Sequence, residues 1–387
     1  MIDFALPDRT KTLGADARHF AKDRLAKDIA QRDKRGAVHP DDWQGLWHAC
    51  AQHGLFGLTM PQEFGGKAYD IQTAVHILQE TGYGCSDAGL TLGLSAQLWS
   101  MQMPILEFGT EAQKHHYLPP LIKSEMICAH AVTEDQSGSD AMALKTTATK
   151  TDDGYILNGC KTYIGMAPVC DVAFVFATLN PDHGAWGVSA FLVDANTPGF
   201  KRGAQMGKMG TRTLPFGTLQ FENCHVPKTA ILGKEGSGNA IFNRSLEWER
   251  RFIFAPQLGA MRHQLDTCAA FARERRVFGK PISNHQSVAN RLADMKLRLE
   301  TAQLMLLKAA WEADEGQFDM ASAAATKLHI SETCLANAED AMRIMGAAGY
   351  LEDSDVARAM RDALGGITYG GTSDIQRQII SADLTRT

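Results

Sequence analysis

The sequence predicts an α+β protein in which a β domain lies between two helical domains. The residue pattern along the 387-residue chain changes twice, and these two changes carry the prediction. Apolar residues recur at helical spacing up to about residue 125, short apolar runs between turn residues follow up to about residue 232, and helical spacing then returns. We therefore predict a helical domain over residues 1–125, a β domain over 126–232 and a second helical domain over 233–387.

Two groups of residues show the helical period of the N-terminal domain. They are Leu46, Ala49, Cys50 and His53, and then Val75, Leu78 and Gln79. Residues at these spacings lie on one face of a helix, which predicts that both stretches are helical. Between them, residues 61–66 contain a proline and paired glycines, which predict a loop.

Four short apolar runs predict strands in the middle domain. They span residues 155–159, 171–177, 187–193 and 218–222. Turn residues cluster before the first run at 152–154 and between the second and third at 180–182. Because no helical stretch lies between these runs, we predict a small antiparallel barrel or sandwich.

A long apolar seam predicts that the C-terminal domain is a bundle of long helices. Its residues are Val288, Leu292, Met295, Leu299, Ala302 and Leu306. Successive members are four or three positions apart, so they form one stripe over several turns of helix.

Composition and charge narrow the class of protein. Apolar residues make up 44% of the chain and charged residues 21%, which is the balance of an ordinary soluble globular protein. The net charge is −5 and no long basic run occurs, so we expect no nucleic-acid partner. No apolar run reaches the ~18–20 residues that span a bilayer, so we expect no membrane partner.

Targeting signals and cysteine usage bear on where the protein works. The N-terminal stretch MIDFALPDRTKT has no basic region followed by an apolar run, so we predict no signal peptide. The eight scattered cysteines include no CxxC pair, which predicts free thiols and argues against a zinc site or a disulfide framework. We therefore expect a cytoplasmic protein.

Three polar segments are candidates for binding sites, and each has a plainer interpretation. Residues 133–140, rich in hydroxyls and glycine, either form a surface turn or bring N–H groups and hydroxyls to a polar planar ligand. The basic residues within 273–281 either favour the end of a helix or pair with a diphosphate. Residues 233–238 are glycine-rich but lack the spacing and the βαβ context of a dinucleotide fingerprint, so we predict an inter-domain turn there.

Glu249 is a fourth candidate. It lies in a predicted helix where charged residues alternate with large apolar ones. Charges on a helix that is apolar on several sides tend to be paired or functional. From this segment alone, Glu249 is either half of a surface ion pair or part of a site.

Taken together and in order, these segments resemble the acyl-CoA dehydrogenase family over nearly the whole chain. The matching segments are 55–66, 104–110, 133–140, 209–212, 221–227, 278–281, 292–295, 346–349 and 371–373. The resemblance implies FAD-dependent oxidation of a CH–CH bond in an acyl thioester, with hydride passing to flavin N5. It also implies a C-terminal four-helix bundle, noncovalently bound FAD and a homotetramer.

The resemblance assigns candidate residues by position. At the flavin of the same subunit it places His130, Val132, Thr133, Gly138, Ser139, Tyr163 and Gly165, with Thr372 and Asp374 on the C-terminal side. Toward the FAD of a neighbouring subunit it places Arg275, Phe278, Gln286, Arg343, Gly346 and Ala347. At the thioester it places Ser139, Leu246, Arg250 and Gly371.

Several positions depart from the family pattern. Tyr163 and Gly165 stand where tryptophan and threonine are usual, so one hydroxyl contact to the flavin ring is missing. Asp135 or Gln136 replaces a proline in the flavin loop, and Arg343 stands where glutamine is common. These departures leave FAD as the implied cofactor and change the groups that tune its potential.

The catalytic base is the largest departure. The residue after Tyr369 is usually glutamate in this family and acts as the base, but here it is Gly370. In the isovaleryl branch the base lies instead on a helix of the C-terminal domain, in a Glu-Arg pair, and the later loop carries a small residue. Glu249-Arg250 with Gly370 resembles that pattern. We therefore predict that Glu249 removes the α-proton and that the N–H of Gly370 donates to the thioester carbonyl.

The substrate is where the resemblance leaves alternatives open. Residues 167–193 and 248–311 look most like family members that act on carrier-protein thioesters, including prolyl thioesters, so we predict an acyl or aminoacyl group on the phosphopantetheine of a carrier protein. A short- or branched-chain acyl-CoA dehydrogenase, acting on a CoA thioester, is the alternative. A non-catalytic FAD-binding homologue is the third, and the pairing of Glu249 with Gly370 argues against it. The electron acceptor implied is either a flavoprotein or O2.

Overall fold

A computed structural model describes residues 5–36 and 40–385 of the chain, without the side chains of residues 40–42. The first four residues, which belong to the stretch where we predict no signal peptide, lie outside the described part. Within the described part, the longest apolar helical windows fall short of what is needed to cross a membrane.

The N-terminal domain is a layer of seven helices within the described residues. They are α1 (Asp8–Phe20), α2 (Ile29–Arg35), α3 (Pro40–Gln52), α4 (Ile71–Gly84), α5 (Ala88–Ala96), α6 (Met103–Phe108) and α7 (Glu111–Ile122). Two π-helical segments, Ala21–Leu25 and Gln97–Gln102, extend α1 and join α5 to α6. The starts of α4 and α7 are fixed by side-chain caps, since Asp70 accepts from the Thr73 N–H at 2.6 Å and Thr110 forms a capping box with Gln113.

The middle domain is built on one sheet of eight strands among the described residues. They are β1 (Cys128–Ala131), β2 (Thr147–Lys150), β3 (Gly154–Gly165), β4 (Val172–Thr178), β5 (Val188–Asp194), β6 (Phe200–Gln205), β7 (Phe216–Pro227) and β8 (Ile231–Leu232). The order is β6-β7-β3-β2-β4-β5-β8, and β1 pairs with β4. The β3–β7 and β4–β5 pairs are antiparallel, whereas β1 runs parallel to β4. Strand β4 is buried along its whole length, so the middle of the sheet is covered on both faces.

Long helices form the C-terminal domain. The elements are α8 (Gly238–Phe252), α9 (Ala255–Glu274), the short strands β9 (Arg276–Val277) and β10 (Lys280–Pro281), α10 (Gln286–Asp314), α11 (Met320–Met345), α12 (Ala347–Tyr350), α13 (Asp355–Gly366) and α14 (Ser373–Leu384). Met295, Leu299, Ala302 and Leu306 of the predicted seam are buried in α10, because they face the packed helices α9 and α11.

Two glycines let the N-terminal and C-terminal domains meet backbone to backbone. A Cβ atom added to Gly82 in α4 would lie 1.8 Å from the Pro256 carbonyl oxygen, and one added to Gly259 in α9 would lie 1.7 Å from the Gln79 carbonyl oxygen. Neither position has room for any side chain. Helix α4 therefore lies directly against α9, the helix that follows α8 after a short break.

The predicted fold class is confirmed: a helical domain, a β domain and a helical bundle follow one another. Each predicted strand exists, although β3 and β7 are longer than the apolar runs that indicated them. The strands that the sequence did not indicate are short, or polar as in β6, where the side chains of Lys201 and Arg202 are exposed. The domain boundaries at residues 125 and 232 remain predictions.

Candidate active site

A cavity of about 420 Å³ lies where the three domains meet. Its walls come from α5 and the π-helical segment after it, from β1 and the end of β3, from the loop before β7, from α8, and from α13 with the turn that follows. The residues that line it include Ser100, His130, Tyr163, Gly165, Thr211, Glu249, Arg361, Thr368 and Tyr369. A cavity of this size between three domains can hold a planar ligand together with a second molecule.

Glu249 presents its carboxylate to this cavity from α8. Its Oε2 accepts a hydrogen bond of 2.8 Å from the Ser100 hydroxyl. Burial raises the pKa of the Glu249 carboxyl, while the Ser100 hydrogen bond and the charges of Arg250 and Lys327 pull it back down, and burial dominates. The residue is half-buried and lines the cavity. The direction of this shift suits a general base, since a raised pKa makes the carboxylate a stronger proton acceptor.

Gly370 faces the other oxygen of Glu249. A Cβ atom at position 370 would lie 3.0 Å from Glu249 Oε1, so the carboxylate occupies the space that a side chain there would need. The backbone of Gly370 has φ +66°, which favours glycine. Its carbonyl accepts from Arg250 Nε at 3.2 Å and from Gln376 Nε2 at 3.1 Å. Among the described residues no group accepts a hydrogen bond from the Gly370 N–H, which leaves that donor free.

Two buried cations surround the turn that contains Gly370. Lys327 donates to the Gly366 carbonyl at 2.9 Å, and burial lowers its pKa to about 8. Burial also lowers the pKa of Arg250, which donates to the Gly370 carbonyl. The turn is thus held by side chains of α8 and α11, and its position relative to Glu249 does not depend on the loop alone.

The β domain supplies the opposite wall of the cavity. A β-bulge in β3 between Lys161 and Ile164 leaves Tyr163 at φ +58°, with 56% of the residue exposed toward the cavity. At Gly165 an added Cβ would touch only the Leu214 side chain, at 3.7 Å, so the missing side chain widens the cavity here. Burial lowers the pKa of His130 to about 4, which keeps its ring neutral at physiological pH.

The first residues of the polar segment 133–140 are held in place by hydrogen bonds, and its tip is exposed. Lys161, which is fully buried, donates to the Val132 carbonyl at 2.9 Å and to Glu134 Oε1 at 2.8 Å. The Thr133 carbonyl accepts from the Thr162 N–H at 2.9 Å. Gly138 and Ser139 follow on the exposed side of this segment. The segment therefore has a fixed root against β3 and exposed donors at its tip.

Other predicted residues lie away from the cavity of their own subunit. The residues assigned to the FAD of a neighbour are all exposed, namely Arg275, Phe278, Gln286, Arg343, Gly346 and Ala347. Phe278 is 92% exposed at φ +54°, and Arg343 forms an ion pair with Glu339. Thr372 caps α14 by accepting from the Ile375 N–H at 3.3 Å, and Asp374 pairs with Arg377 at 3.2 Å. Leu246 lies one turn before Arg250 on α8, and Gly371 would crowd that guanidinium at 3.4 Å if it carried a Cβ.

Gly210, Thr211 and Ser100 line the cavity but were not among the predicted site residues. Asp362 accepts from the Thr211 N–H at 2.5 Å, which holds the loop before β7 against α13, and burial raises the pKa of Asp362 to about 7. Gly210 in that loop has no room for a Cβ, which would lie 2.1 Å from the Arg361 carbonyl oxygen. The resemblance of segment 209–212 to the family was the available signal for this loop. Ser100 had none, because nothing in its local sequence separates it from other buried helix residues.

Comparison with known proteins covers the whole chain. Profiles of the acyl-CoA dehydrogenase N-terminal, middle and C-terminal domains match residues 7–125, 129–224 and 236–385. An L-prolyl-[peptidyl-carrier protein] dehydrogenase of Pseudomonas fluorescens is 40% identical over 87% of this chain and 89% of its own.

Two solved structures are similar over nearly their full lengths. The prolyl acyl carrier protein oxidase AnaB superimposes with a TM-score of 0.96 at 40% identity, covering 99% of this chain and 100% of its own. PigA with FAD and proline superimposes with a TM-score of 0.95 at 35% identity, covering 99% of each chain.

Proposed function

The chain belongs to the acyl-CoA dehydrogenase family, as an oxidoreductase that acts on CH–CH donors, and we propose that its substrate is an aminoacyl thioester on a carrier protein. The observation that carries the mechanism is the Glu249 carboxylate, with Oε1 3.0 Å from where a Gly370 side chain would begin. The substrate class is supported by two relatives that act on prolyl groups of carrier proteins, each 40% identical to this chain.

Glu249 is the base in this proposal. A thioester α-proton is a weak acid, so it is removed only while the developing negative charge on the carbonyl oxygen is stabilised. The free N–H of Gly370 is a donor for that oxygen, and Arg250 and Gln376 hold the turn that carries it by donating to the Gly370 carbonyl. The proton moves from the α-carbon to Glu249 Oε1. Burial, which raises the pKa of this carboxyl, makes it a better proton acceptor than an exposed glutamate.

The cavity residues fit FAD. Tyr163 presents its aromatic ring to the cavity, and the missing side chain at Gly165 leaves space beside it. Thr211 and Thr368 line the same cavity. The exposed tip of segment 133–140 supplies further donors, with Thr133, Gly138 and Ser139 as the proposed contacts. When bound, FAD supplies the acceptor for the β-hydrogen of the thioester as hydride. PigA, which is 35% identical, is described in complex with FAD and proline.

The thioester arm is proposed to pass along α8. Leu246 and Arg250 lie one turn apart on this helix, and Arg250 donates to the Gly370 carbonyl at 3.2 Å. Gly371 lies beside the Arg250 guanidinium, and Ser139 lies at the exposed tip of the polar segment. A phosphopantetheine arm and CoA share this part of their chemistry, so these contacts do not select between them. The electrons then pass to a flavoprotein or to O2. The rate at which the reduced flavin is reoxidised, measured with and without air, distinguishes these two acceptors.

The test compares the chain with Glu249→Gln, which is nearly isosteric. We expect FAD content and thioester binding to persist and anaerobic flavin reduction to fall by at least ~10²-fold, the scale of a positioned acid–base group. The substrates are prolyl and other aminoacyl thioesters on a carrier protein, with short-chain acyl-CoA thioesters as the alternative. Near-normal flavin reduction in Glu249→Gln would refute the assigned base. Flavin reduction by acyl-CoA thioesters and by none of the carrier-protein thioesters would refute the carrier-protein substrate.

We also propose a homotetramer in which each FAD is shared between subunits. The support is the exposure of Phe278 and Arg275, together with Leu297, Leu304 and Trp311, exposed apolar residues spaced seven apart along α10. Arg275→Ala should weaken both FAD retention and assembly, because one contact serves both. Arg273→Ala, an exposed arginine two positions earlier, is the matched control. If Arg275→Ala stays a tetramer with full FAD content, as judged by light scattering and absorbance, the proposed role is wrong.

A further inference from the structure

The hydrogen bond between Ser100 and Glu249 arises from an irregular part of the fold. Residues Gln97–Gln102 form a π-helical segment between α5 and α6. Such segments are rare, less favourable than α-helix, and recur at functional sites. Ser100 lies in the second half of the segment and is fully buried apart from its contact with the cavity.

Several contacts fix this segment in place. The Gln97 amide donates to the Leu121 carbonyl at 3.3 Å and accepts from the Cys128 N–H at 3.2 Å. At the other end, the Gln102 amide donates to the Phe56 carbonyl at 2.7 Å. The segment is thus tied to three separate parts of the chain, which is the kind of surrounding that maintains an irregular backbone.

Helix α8 holds Ser100 at its carbonyl and at its hydroxyl. The Ser245 hydroxyl donates to the Ser100 carbonyl at 2.9 Å, and Glu249, four residues later on the same face, accepts from the Ser100 hydroxyl at 2.8 Å. Trp99 packs on the same helix, with its ring 5.8 Å from that of Trp248 and 4.8 Å from that of Phe252. The aromatic contacts lie on either side of Glu249 in sequence, so they set the distance between the two backbones.

We infer that Ser100 is a positioning residue for the base, and that the π-helical segment Gln97–Gln102 places its hydroxyl on Glu249 Oε2 so that Oε1 alone faces the substrate. This inference rests on the proposed role of Glu249. One oxygen is occupied by Ser100, and the other is the oxygen beside Gly370. When Oε1 takes the α-proton, Oε2 becomes the carbonyl oxygen of the acid and still accepts from Ser100. The same hydrogen bond therefore orients both protonation states, and it is stronger to the charged one.

The sign of the effect on pH dependence follows from this difference. A hydrogen bond to the carboxylate favours the charged form, so it opposes the rise in the pKa of Glu249 that burial causes. Removing it in Ser100→Ala should move the acidic limb of the kcat/KM profile to higher pH. Below that limb we expect kcat/KM to fall about tenfold, the usual effect of one hydrogen bond to a charged group. At high pH the difference in pKa no longer affects the rate, so we expect a smaller loss there, due to the lost orientation of Oε1 alone.

The experiment uses the FAD-loaded protein and four variants in addition to Ser100→Ala. Ser100→Thr keeps a hydroxyl and should restore the profile. Ser95→Ala, in α5, is the matched control, because Ser95 is fully buried and its hydroxyl lacks a partner within the described residues. Ser245→Ala frees the Ser100 carbonyl and should shift the limb in the same direction by less. Glu249→Gln tests the base itself.

A second measurement does not depend on turnover. The infrared C=O band of a protonated carboxyl, identified as the band that Glu249→Gln removes, should persist to higher pH in Ser100→Ala than in the parent and in Ser95→Ala. An unshifted band together with an unshifted limb in Ser100→Ala would overturn the inference while leaving Glu249 as base. If Ser100→Ala does not fold, an unshifted band in Ser245→Ala would overturn it equally. Full flavin reduction by Glu249→Gln would instead overturn the proposed function.

Discussion

Replacing Gly370 by alanine should displace the base. The added Cβ would lie 3.0 Å from Glu249 Oε1, whereas ordinary contact begins at 3.4 Å, so the oxygen must retreat by at least 0.4 Å. Because misplacement of a reacting group by about 1 Å costs roughly 10²-fold in rate, a retreat of this size predicts a five- to tenfold loss of flavin reduction. The crowding also destabilises the fold, by about 1–3 kcal/mol.

Backbone strain has to be separated from this crowding. Gly370 has φ +66°, and alanine in the left-handed region costs about 1–2 kcal/mol wherever it occurs. Gly316, between α10 and α11, has φ +69° and nothing within 4 Å of a Cβ, so Gly316→Ala carries the strain without the crowding. Thermal unfolding of both variants should show the larger loss in Gly370→Ala.

The decisive assay is anaerobic reduction of the bound flavin by the thioester, followed by stopped flow. Gly316→Ala should reduce its flavin at the parent rate, and Gly370→Ala should not. If Gly370→Ala reacts at the parent rate with its FAD retained, Glu249 does not lie against Gly370 during the reaction, and the reasoning fails.

Two further predictions concern stability. Lys161→Met leaves the buried Glu134 carboxylate without its counter-ion and should lower the free energy of unfolding, measured in urea, by about 3–5 kcal/mol. The double variant Lys161→Met/Glu134→Gln should recover much of this loss. Equal losses in both variants would show that packing, and not charge, is responsible. Burial raises the pKa of Asp362 from 3.8 to about 7, so the stability it contributes is present below pH 4 and is lost as the pH rises through 7. Asp362→Asn should therefore lose less stability than the parent between pH 5 and 8, the difference in the free energy of unfolding being on the order of a few kcal/mol. Urea unfolding across this range measures it, and identical pH dependence of the two proteins would contradict the buried state of this carboxyl.

The parts of the fold that the sequence predicted are those with a strong local period. The apolar stripe through Met295 and Leu299 and the apolar run of β4 are repeated signals, and both elements exist. Strand β1 has only four residues, and its parallel pairing with β4 depends on a contact 44 positions away in the chain, between Cys128 and Val172. No local period encodes such a pairing.

The candidate site likewise contains residues that the sequence predicted and residues that it could not predict. His130, Tyr163, Gly165 and Glu249 line one cavity, although each is weak evidence by itself. Ser100 could not be recognised, because its role exists only once Glu249 is packed against the π-helical segment. The residues assigned to a neighbour's FAD stay predictions, since a single chain exposes them. Position within a family can suggest such residues, but a single chain does not show the contacts that they would make with a second subunit.

The glycines at the crossing of α4 and α9 restrict how this protein can be recombined. Gly82 and Gly259 lie on different domains, yet each accommodates the backbone of the other's helix. A chimera that takes either helical domain from a relative with a larger residue at position 82 or 259 would have to separate the two helices. Helix α9 continues from α8, so that separation would be transmitted toward Glu249. The domains follow one another as blocks in the sequence, but successful exchange between relatives should require both glycines to be inherited together.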